Sequence, residues 1–245
     1  MKIGLCDIHN HILYGLDDGA KDLAMSLNMA RAAYEDGTRT VIATPHYNPA
    51  VWNRGKDDIL ARFEEVKAAV LAEFPDMRMY SGCEIFWHDS STTYEYEKDL
   101  IPTLAGSRYV LFEFMPLVDY SKIREAVIAT VRSGKIPILA HIERFACLVE
   151  NPDLVYELSN HGAYFQVNAS SVVGGYGRHA QKFIKKLMKD EMIDFIGTDA
   201  HADKGGRTMT MQDSYKWVEK KMGTDYADRV FITNPEFIIR DKYLD

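Results

Sequence analysis

The 245-residue sequence lacks several features that would place it in a well-defined class of protein. Its three cysteines, Cys6, Cys83 and Cys147, are too few and too widely spaced for a disulfide framework or a CxxC zinc site. A formal net charge of −7 leaves no basic excess for binding nucleic acid or an anionic membrane. The sequence has no apolar run as long as a membrane span and no N-terminal signal pattern, so we expect a cytoplasmic protein without membrane insertion.

Missing motifs also exclude several catalytic mechanisms. A cysteine-dependent phosphatase needs the pattern CxxxxxR, but the residues at the arginine position are Ile12, Asp89 and Asp153. The GxSxG motif of α/β-hydrolases and the GxxxxGK[ST] motif of nucleotide-binding P-loops are absent as well. We therefore expect neither a thiol or serine nucleophile nor a nucleotide cofactor.

Short β-rich runs alternate with segments of helical period along the whole chain. Most runs are continuously apolar, as strands are when a sheet is buried on both faces. The segments between them predict helices over Leu23–Tyr34, Ile59–Val70, Ile123–Arg132 and Leu154–Asn160. This alternation predicts βαβ units and a mainly parallel sheet in a single α/β domain covering residues 1–245. The predicted strands are Ile3–Ile8, Thr40–Thr44, Met79–Cys83, Tyr109–Phe112, Ile136–Ala140, Ala163–Val167 and Ile193–Gly197.

A polar residue follows each predicted strand, at positions 9, 46, 84, 113, 141, 168 and 199. The intervals are close to the roughly 30 residues of one strand with its crossover helix. Seven such units that close on themselves make a barrel whose strand ends share one rim, where barrels of this kind carry their active sites. An open, doubly wound sheet is the alternative, but the GxGxxG turn that would support it is absent.

Imidazoles and carboxylates predominate among the residues after these strands. Any one of them alone would more often be a hydrogen-bonded loop residue than a ligand. Together on one rim they would repel one another and destabilise the fold unless cations neutralised them. Imidazole with carboxylate suits Mn, Fe, Zn or Co, so the sequence predicts a metal site. The candidate ligands are His9, His11, His46, Glu84, Glu113, His141, Asp199 and His201.

Other chemically notable residues have ordinary interpretations. We interpret His88, His161 and His179 as surface or capping residues, because they lie in loop or helical contexts. The aromatic residues of the loops beside the rim could stack on a substrate ring or pack in the core, and the sequence does not separate the two. These residues are Tyr47, Trp52 and Tyr176.

Four segments carry a family resemblance: HNHILYGLDDGAKD at 9–22, IPTLAGSRYVLFEF at 101–114, AHIERF at 140–145 and VNASS at 167–171. With them the sequence resembles the polymerase-and-histidinol-phosphatase (PHP) superfamily. Within that superfamily it is most similar to the CpsB/CapC-type metal-dependent protein tyrosine phosphatases of bacterial capsule and exopolysaccharide systems. The resemblance extends from about residue 5 to about residue 240.

The resemblance implies a distorted, TIM-like (β/α)7 barrel of the PHP fold that holds three metal ions. It implies Mn²⁺, while the ligand types would also allow Fe, Zn, Co or Mg. Asp17 is adjacent to the implied ligand Asp18, and the sequence does not show which of the two faces inward. The implied ligand sets are His9, His11, Glu84 and Asp199 for the first ion, Glu84, Glu113 and His141 for the second, and Asp18, His46 and His201 for the third.

The resemblance also implies residues that act on the phosphate. Arg144 and Arg207 match the phosphate-binding arginines, although Arg207 lies one residue farther past its DAH motif than the family pattern has it. Arginine suits phosphate binding because its planar guanidinium binds phosphoryl oxygens in pairs. The chemistry of the site makes His201 or a metal-bound water the candidate proton donor to the leaving group.

The expected function is hydrolysis of phosphotyrosine on the tail of a capsule-type tyrosine kinase. A small-molecule PHP phosphatase, such as a histidinol phosphatase with a narrow pocket, is the first alternative. A non-catalytic PHP scaffold is the second, and the complete ligand set argues against it. An amidohydrolase is disfavoured because Glu113 stands where such enzymes place a modified lysine. The sequence leaves the oligomeric state open.

Overall fold

The structure, a computed structural model, describes residues 4–52, 54–89, 91–92, 95 and 98–244. These residues contain nine strands, all of which pair in parallel. The predicted first strand begins at Ile3, which lies outside the described residues. The strands are β1 Leu5–Asp7, β2 Thr38–Ala43, β3 His46–Tyr47, β4 Arg78–Ser81, β5 Glu84–Phe86, β6 Tyr109–Glu113, β7 Ile136–Leu139, β8 Tyr164–Asn168 and β9 Phe195–Gly197.

Helices lie between most of the strands, and the four predicted helices are confirmed with ends that shift by a few residues. The first begins behind Asp22, whose side chain accepts a hydrogen bond from the backbone N–H of Met25. No described helix is long and apolar enough to cross a bilayer. The helices are α1 Leu23–Glu35, α2 Lys56–Glu73, α3 Tyr120–Arg132, α4 Ala146–Glu150, α5 Asp153–Asn160, α6 Ala169–Val172, α7 Arg178–Lys189, α8 Gln212–Met222, α9 Thr224–Asp228 and α10 Asn234–Ile239.

The strands form two parallel sheets, in the orders β1-β2-β4 and β3-β5-β6-β7-β8-β9. The sheets meet at two places. The backbone N–H of Glu84 donates to the carbonyl of Pro45 at 3.0 Å. This bond lies in the gaps between β2 and β3 and between β4 and β5, where the chain passes from one sheet to the other. At the other end, Asn10 and Ala200 form an isolated parallel bridge that joins the segment after β1 to the segment after β9. The result is a curled parallel sheet in a mixed α/β fold.

The breaks in the second and third predicted strands correct the sequence interpretation. We expected single strands ending at Thr44 and Cys83, with His46 and Glu84 in the loops beyond. Instead, each of these two residues begins a short second strand. Pro45 has no N–H to donate to a neighbouring strand, so pairing stops there and resumes one residue later. The side chains of His46 and Glu84 are therefore held by paired backbone.

Both faces of the curled sheet are apolar and packed. Along β6, Val110 and Phe112 belong to the larger hydrophobic cluster, which includes residues of the helices. Tyr109 and Leu111, which point the opposite way, belong to a smaller cluster that takes residues from both sheets, including Cys6, Ile42, Ile138 and Phe195. Burial on both faces explains why these strands are mostly apolar. The buried polar residues within them and at their ends are therefore exceptions.

Candidate metal centre

The segment after β1 places two imidazoles on one side of the chain. His9 and His11 are two residues apart in an extended backbone, so their side chains point in the same direction. The residue between them, Asn10, donates its side-chain amide to the carbonyl of Ile42 at 3.1 Å and its backbone N–H to Thr44 Oγ1 at 2.9 Å. These bonds fix the segment against β2 and direct both imidazoles into the site.

Two other candidate ligands have an unusual backbone conformation. His141 and Asp199, which follow β7 and β9, have φ values of 36° and 53°, in the left-handed region that side-chain-bearing residues seldom adopt. Such a conformation costs about 1–3 kcal/mol per residue and is common in functional sites. The backbone N–H of Asp199 donates to the carbonyl of His9 at 2.7 Å, which helps to hold the turn. The sharp turns bring both side chains back over the strand ends.

The structure brings eight of the nine predicted ligands together in three overlapping groups, in each of which the ligand atoms lie within 4.8 Å of one another. The first group equals the set that the resemblance implies for the first ion. The second group contains the set implied for the third ion and His11 in addition. The third group matches the set implied for the second ion, with His46 in place of His141. The groups are His9, His11, Glu84 and Asp199; His11, Asp18, His46 and His201; and His46, Glu84 and Glu113.

Glu84 is the carboxylate that the first and third groups share. It is fully buried, and its Oε2 lies 3.1 Å from both His9 Nε2 and His46 Nδ1. Its other oxygen, Oε1, lies 2.9 Å from Nε2 of His141, which is 4.0 Å from Glu113 Oε2. His141 therefore stands beside the third group although it is not a member of it. The two oxygens of Glu84 face different imidazoles, which is the arrangement that a bridging carboxylate requires.

The two adjacent aspartates have different environments, with the side chain of Asp17 buried and that of Asp18 exposed. Asp17 Oδ2 lies 2.7 Å from His11 Nδ1 and accepts the backbone N–H of His46 at 2.8 Å. Asp18 Oδ1 lies 3.3 Å from His201 Nε2 and 3.6 Å from His46 Nε2. Asp18 is thus the residue that faces the imidazoles of the second group. Asp17 instead orients His11, because a carboxylate at Nδ1 keeps the proton there and leaves Nε2 free.

Four buried atoms of the site make no well-aligned hydrogen bond within the described part of the chain, although Glu84 Oε2 lies 3.1 Å from two of the others. They are His9 Nε2, His11 Nε2, His46 Nδ1 and Glu84 Oε2. Buried polar atoms nearly always make hydrogen bonds, so four that converge without making one need an explanation. All four are atoms that bind divalent metals, and the ligand mixture suits a transition metal. The residues present therefore fit the metal that the sequence predicts.

The charges of the site lead to the same conclusion. Burial by itself would raise the pKa of the Glu84 carboxyl, but His9 and His46 hold it well below its usual range. Burial and the nearby His11 oppose protonation of His46, yet Glu84 and Glu113 raise its pKa to about 10. The buried carboxylates thus favour positive charge on the imidazole of His46. A bound divalent ion would supply that positive charge and displace the protons.

Both predicted phosphate-binding arginines reach the centre. Arg144 Nη2 lies 2.6 Å from Asp199 Oδ2, and Arg207 Nη2 lies 2.9 Å from Asp199 Oδ1. Arg207 lies one residue farther along the chain than in the family pattern, and a tight loop accommodates the extra residue. In this loop the backbone N–H groups of His201 and Ala202 donate to the carbonyl of Arg207 at 3.0 and 3.1 Å. The shift in sequence therefore does not remove this guanidinium from the site.

A cleft of about 280 Å³ leads to the centre. Its polar wall includes His46, Glu113, His141 and Arg144, and its apolar wall includes Val51, Trp52, Phe86, Phe114, Met115 and Pro116. The structure separates the three aromatic residues that the sequence could not assign. Trp52 lines the cleft, Tyr176 is half-exposed beneath the Arg144 guanidinium, and Tyr47 is buried in the core.

The remaining histidines and the cysteines are outside the three groups. His88 Nε2 lies 3.1 Å from Asn48 Oδ1, and His161 Nε2 lies 3.9 Å from Glu157 Oε1. Cys6 and Cys83 are buried, and burial raises the pKa of each thiol well above its usual value. A thiol that stays protonated is a poor nucleophile, which agrees with the missing CxxxxxR pattern.

Sequence reasoning missed one residue at the centre, Gln166. It is fully buried in the middle of β8, between Phe165 and Val167, and its amide contacts His9 and the backbone of His141. The available signal was a polar residue within an otherwise apolar predicted strand, where an uncompensated amide would be costly. A parallel β/α fold with histidine and carboxylate groups gathered at its strand ends is typical of metal-dependent enzymes.

Comparison with known proteins identifies the family. The chain matches the sequence profile of the family described as capsular polysaccharide synthesis, CpsB/CapC, over residues 5–240. It is 32% identical over 243 residues to the tyrosine-protein phosphatase YwqE of Bacillus subtilis, covering 97% of this chain and 92% of that protein. It is 30% identical over 245 residues to the tyrosine-protein phosphatase CpsB of Streptococcus pneumoniae, covering 98% and 100%. The chain belongs to the CpsB/CapC family.

A solved structure agrees with this assignment. It comes from a study of YwqE and CpsB, which are described there as unique metal-dependent tyrosine phosphatases. This chain superimposes on it with a TM-score of 0.91 at 30% sequence identity, over 98% of this chain and 96% of that one. The family resemblance drawn from the sequence motifs is therefore confirmed.

Proposed function

We infer that this chain is a metal-dependent protein tyrosine phosphatase and that the centre described above is where it acts. The observation that carries the inference is the convergence of three histidine–carboxylate groups with two arginines beside one cleft. Buried imidazoles and carboxylates without a cation are costly, so a metal explains their convergence better than the fold alone does. The relatives named tyrosine-protein phosphatases support the reaction class.

We propose that the centre holds three metal ions and that Mn²⁺ is the metal, with Fe, Zn, Co or Mg compatible with the same ligand types. When bound, such ions lower the pKa of a coordinated water and stabilise the charge of phosphoryl oxygens. Glu84 would be shared between ions, since its two oxygens face different imidazoles. The proposed ligands are His9, His11, Asp18, His46, Glu84, Glu113, His141, Asp199 and His201.

The arginines supply the recognition of the phosphate. Arg144 and Arg207 approach opposite oxygens of Asp199, so both guanidinium groups are within reach of an anion placed over that carboxylate. A guanidinium donates two parallel hydrogen bonds to a phosphoryl group, and these bonds strengthen as charge accumulates there in the transition state. We therefore propose that the two arginines bind the transferring phosphoryl group.

His201 serves as a ligand in this proposal, and its role as a proton donor is disfavoured. Its Nδ1 lies 3.0 Å from the backbone carbonyl of Asp199, which can only accept, so the proton of the neutral ring sits at Nδ1. Burial and the neighbouring His11 lower the pKa of His201, which favours that neutral ring. Its Nε2, which faces Asp18, then carries a lone pair and no proton to donate.

We further propose that the two sheets are parts of one distorted (β/α)7 barrel of the PHP superfamily in a single domain over residues 1–245. If β2 with β3, and β4 with β5, are counted as interrupted strands, seven strands remain. The bridge between Asn10 and Ala200 links the first of them to the last. The smaller hydrophobic cluster supports this closure, since it joins residues of both sheets.

The substrate proposed is a phosphotyrosine on a protein, namely the tail of a capsule-type tyrosine kinase. The apolar wall of the cleft suits an aromatic ring, and the residues at its mouth remain available to a larger partner. Val51 and Met115 line the cleft with 63% of each side chain exposed, and Leu117 beyond Pro116 is 86% exposed. Exposed apolar residues grouped in this way are typical of protein interaction sites.

The decisive measurement compares two substrates of the manganese-loaded protein. We expect a kcat/KM for a phosphotyrosine peptide that exceeds the value for histidinol phosphate. A preference for histidinol phosphate would identify a small-molecule phosphatase. Failure to hydrolyse either substrate would support a scaffold function.

Removing the apolar side chains at the mouth should weaken binding of the peptide alone. We expect the double variant Val51→Ser/Leu117→Ser to lose about tenfold in kcat/KM on a phosphotyrosine peptide, because about 1–2 kcal/mol of apolar burial disappears. Free phosphotyrosine should be hydrolysed nearly as fast as by the wild type. Val131→Ser provides the matched control, since Val131 is 41% exposed near the end of α3. Equal losses on both substrates would contradict a role in protein binding.

Metal binding should also stabilise the fold. At a free Mn²⁺ concentration of 100 times Kd, mass action contributes about 2.7 kcal/mol. For a chain of this size that corresponds to a rise in Tm of about 5–10 °C. The rise, measured between chelator-treated and Mn²⁺-loaded protein, should shrink in Glu84→Ala and persist in Glu157→Ala, which removes a half-exposed carboxylate far from the centre. Identical melting of stripped and loaded wild-type protein would contradict the proposed site.

A further inference from the structure

Gln166 connects residues that come from different strands of the centre. Its side chain is completely buried, and its Oε1 lies 3.0 Å from His9 Nδ1 and 2.8 Å from the backbone nitrogen of His141. Its Nε2 lies 3.0 Å from Asn168 Oδ1, and Asn168 Nδ2 lies 2.9 Å from Asp199 Oδ2. Two amides on β8 thus form a chain of hydrogen bonds between segments that follow β1, β7 and β9.

The directions of these hydrogen bonds follow from chemistry. The carboxylate of Asp199 can only accept, so the Asn168 atom that faces it is the NH₂ group. The carbonyl oxygen of Asn168 then faces Gln166 and must receive a proton from the Gln166 NH₂ group. The carbonyl oxygen of Gln166 then accepts hydrogen bonds from His9 and from the backbone N–H of His141. The backbone N–H can only donate, so it requires the same orientation of the Gln166 amide. Each step allows only one orientation of the amide. The orientations deduced from the Asp199 carboxylate agree with those deduced from the backbone N–H of His141.

The arrangement determines which atoms the three candidate ligands present. His9 must carry its proton at Nδ1 in order to donate to Gln166, so its Nε2, 3.1 Å from Glu84 Oε2, is the free nitrogen. The bond to the His141 N–H supports the left-handed backbone that turns this residue inward. The bond from Asn168 engages Asp199 Oδ2 and leaves Oδ1 facing His9 and His11, at 3.6 and 3.5 Å.

We propose that Gln166 and Asn168 form a positioning relay that presets the His9 tautomer, the His141 backbone and the Asp199 carboxylate for metal binding. The inference rests on the proposed metal site and adds residues that touch neither the metal nor the substrate. Groups that hold metal ligands from behind in this way commonly contribute 10- to 100-fold to metal affinity. The relay also explains why two amides are tolerated in the buried strand β8.

Metal affinity, measured by calorimetric titration without any substrate, tests the relay. We expect Gln166→Leu to bind Mn²⁺ about 10- to 100-fold more weakly than the wild type. Gln166→Glu retains an acceptor toward His9 and His141, so it should lose less affinity than Gln166→Leu. The matched control is Asn234→Ala, which removes another buried amide whose Nδ2 donates to the carbonyl of Asp194, outside the centre. That variant should bind Mn²⁺ with nearly wild-type affinity.

A second measurement covers the case in which Gln166→Leu does not fold. In Zn²⁺-loaded wild-type protein, ¹⁵N NMR of the imidazoles should place the His9 proton on Nδ1 and show slow exchange of that proton with water. A proton on His9 Nε2, or wild-type affinity in Gln166→Leu, would overturn the relay. An equal loss of affinity in Asn234→Ala would do so as well. A wild-type protein that binds no metal would overturn the proposed metal site together with the relay.

Discussion

A chelator should abolish phosphotyrosine hydrolysis by this chain, and added Mn²⁺ should restore it. The expected loss is nearly complete, because no other group in the described part of the centre can replace what a divalent cation supplies. The thiols cannot, since Cys6 and Cys83 are buried and remain protonated. The pKa values of His11, Glu84 and Asp199 are displaced toward the charged forms, as expected of groups that bind a cation between them.

The experiment has two arms that separate a metal mechanism from a thiol mechanism. Activity on a phosphotyrosine peptide is followed after dialysis against a chelator and again after titration with Mn²⁺. In parallel, a variant in which all three cysteines are replaced by alanine should keep most of the wild-type rate. An enzyme that resists the chelator but is inactivated by thiol alkylation would refute the metal-dependent mechanism.

The parallel fold and the identity of the candidate ligands could be predicted from the sequence because both depend on local patterns. Continuous apolar runs such as Ile136–Ala140 mark strands that are buried on both faces, and the residue that ends each run marks the active rim. His9 and His11 face the same side in any extended backbone. These features need no knowledge of which strands are neighbours.

The rest of the centre depends on contacts between distant segments, which local patterns do not contain. Asp17 and Asp18 are equivalent in sequence, and only the fold sets one against His11 Nδ1 and the other against His201 Nε2. The break at Pro45 can be explained afterwards by its missing N–H, but the resumption of pairing at His46 depends on β5 lying beside it. The relay through Gln166 likewise requires β1, β7 and β9 to be close together.

Replacing Arg144 by alanine should lower kcat/KM on a phosphotyrosine peptide by about 10²- to 10³-fold, the typical effect of losing one donor to the transition-state charge. Arg144 lines the cleft, three-quarters of its side chain is buried, and its Nε has no hydrogen-bond partner within the described residues. A buried guanidinium that is only partly satisfied by Asp199 has donors left for a phosphoryl group. It cannot bind a metal, so its effect should be separable from that of the ligands.

The contact with Asp199 gives a competing explanation, in which Arg144 only holds a metal ligand in place. Metal content and turnover must therefore be measured on the same preparation. If Arg144 binds the phosphoryl group, Arg144→Ala should retain its metal while losing activity, and Arg144→Lys should recover little, because an ammonium cannot donate two parallel hydrogen bonds. Arg124→Ala, which breaks an exposed ion pair with Glu157, should leave both readings unchanged. Loss of metal together with activity would make Arg144 a structural support, and turnover near the wild-type rate would remove it from the site.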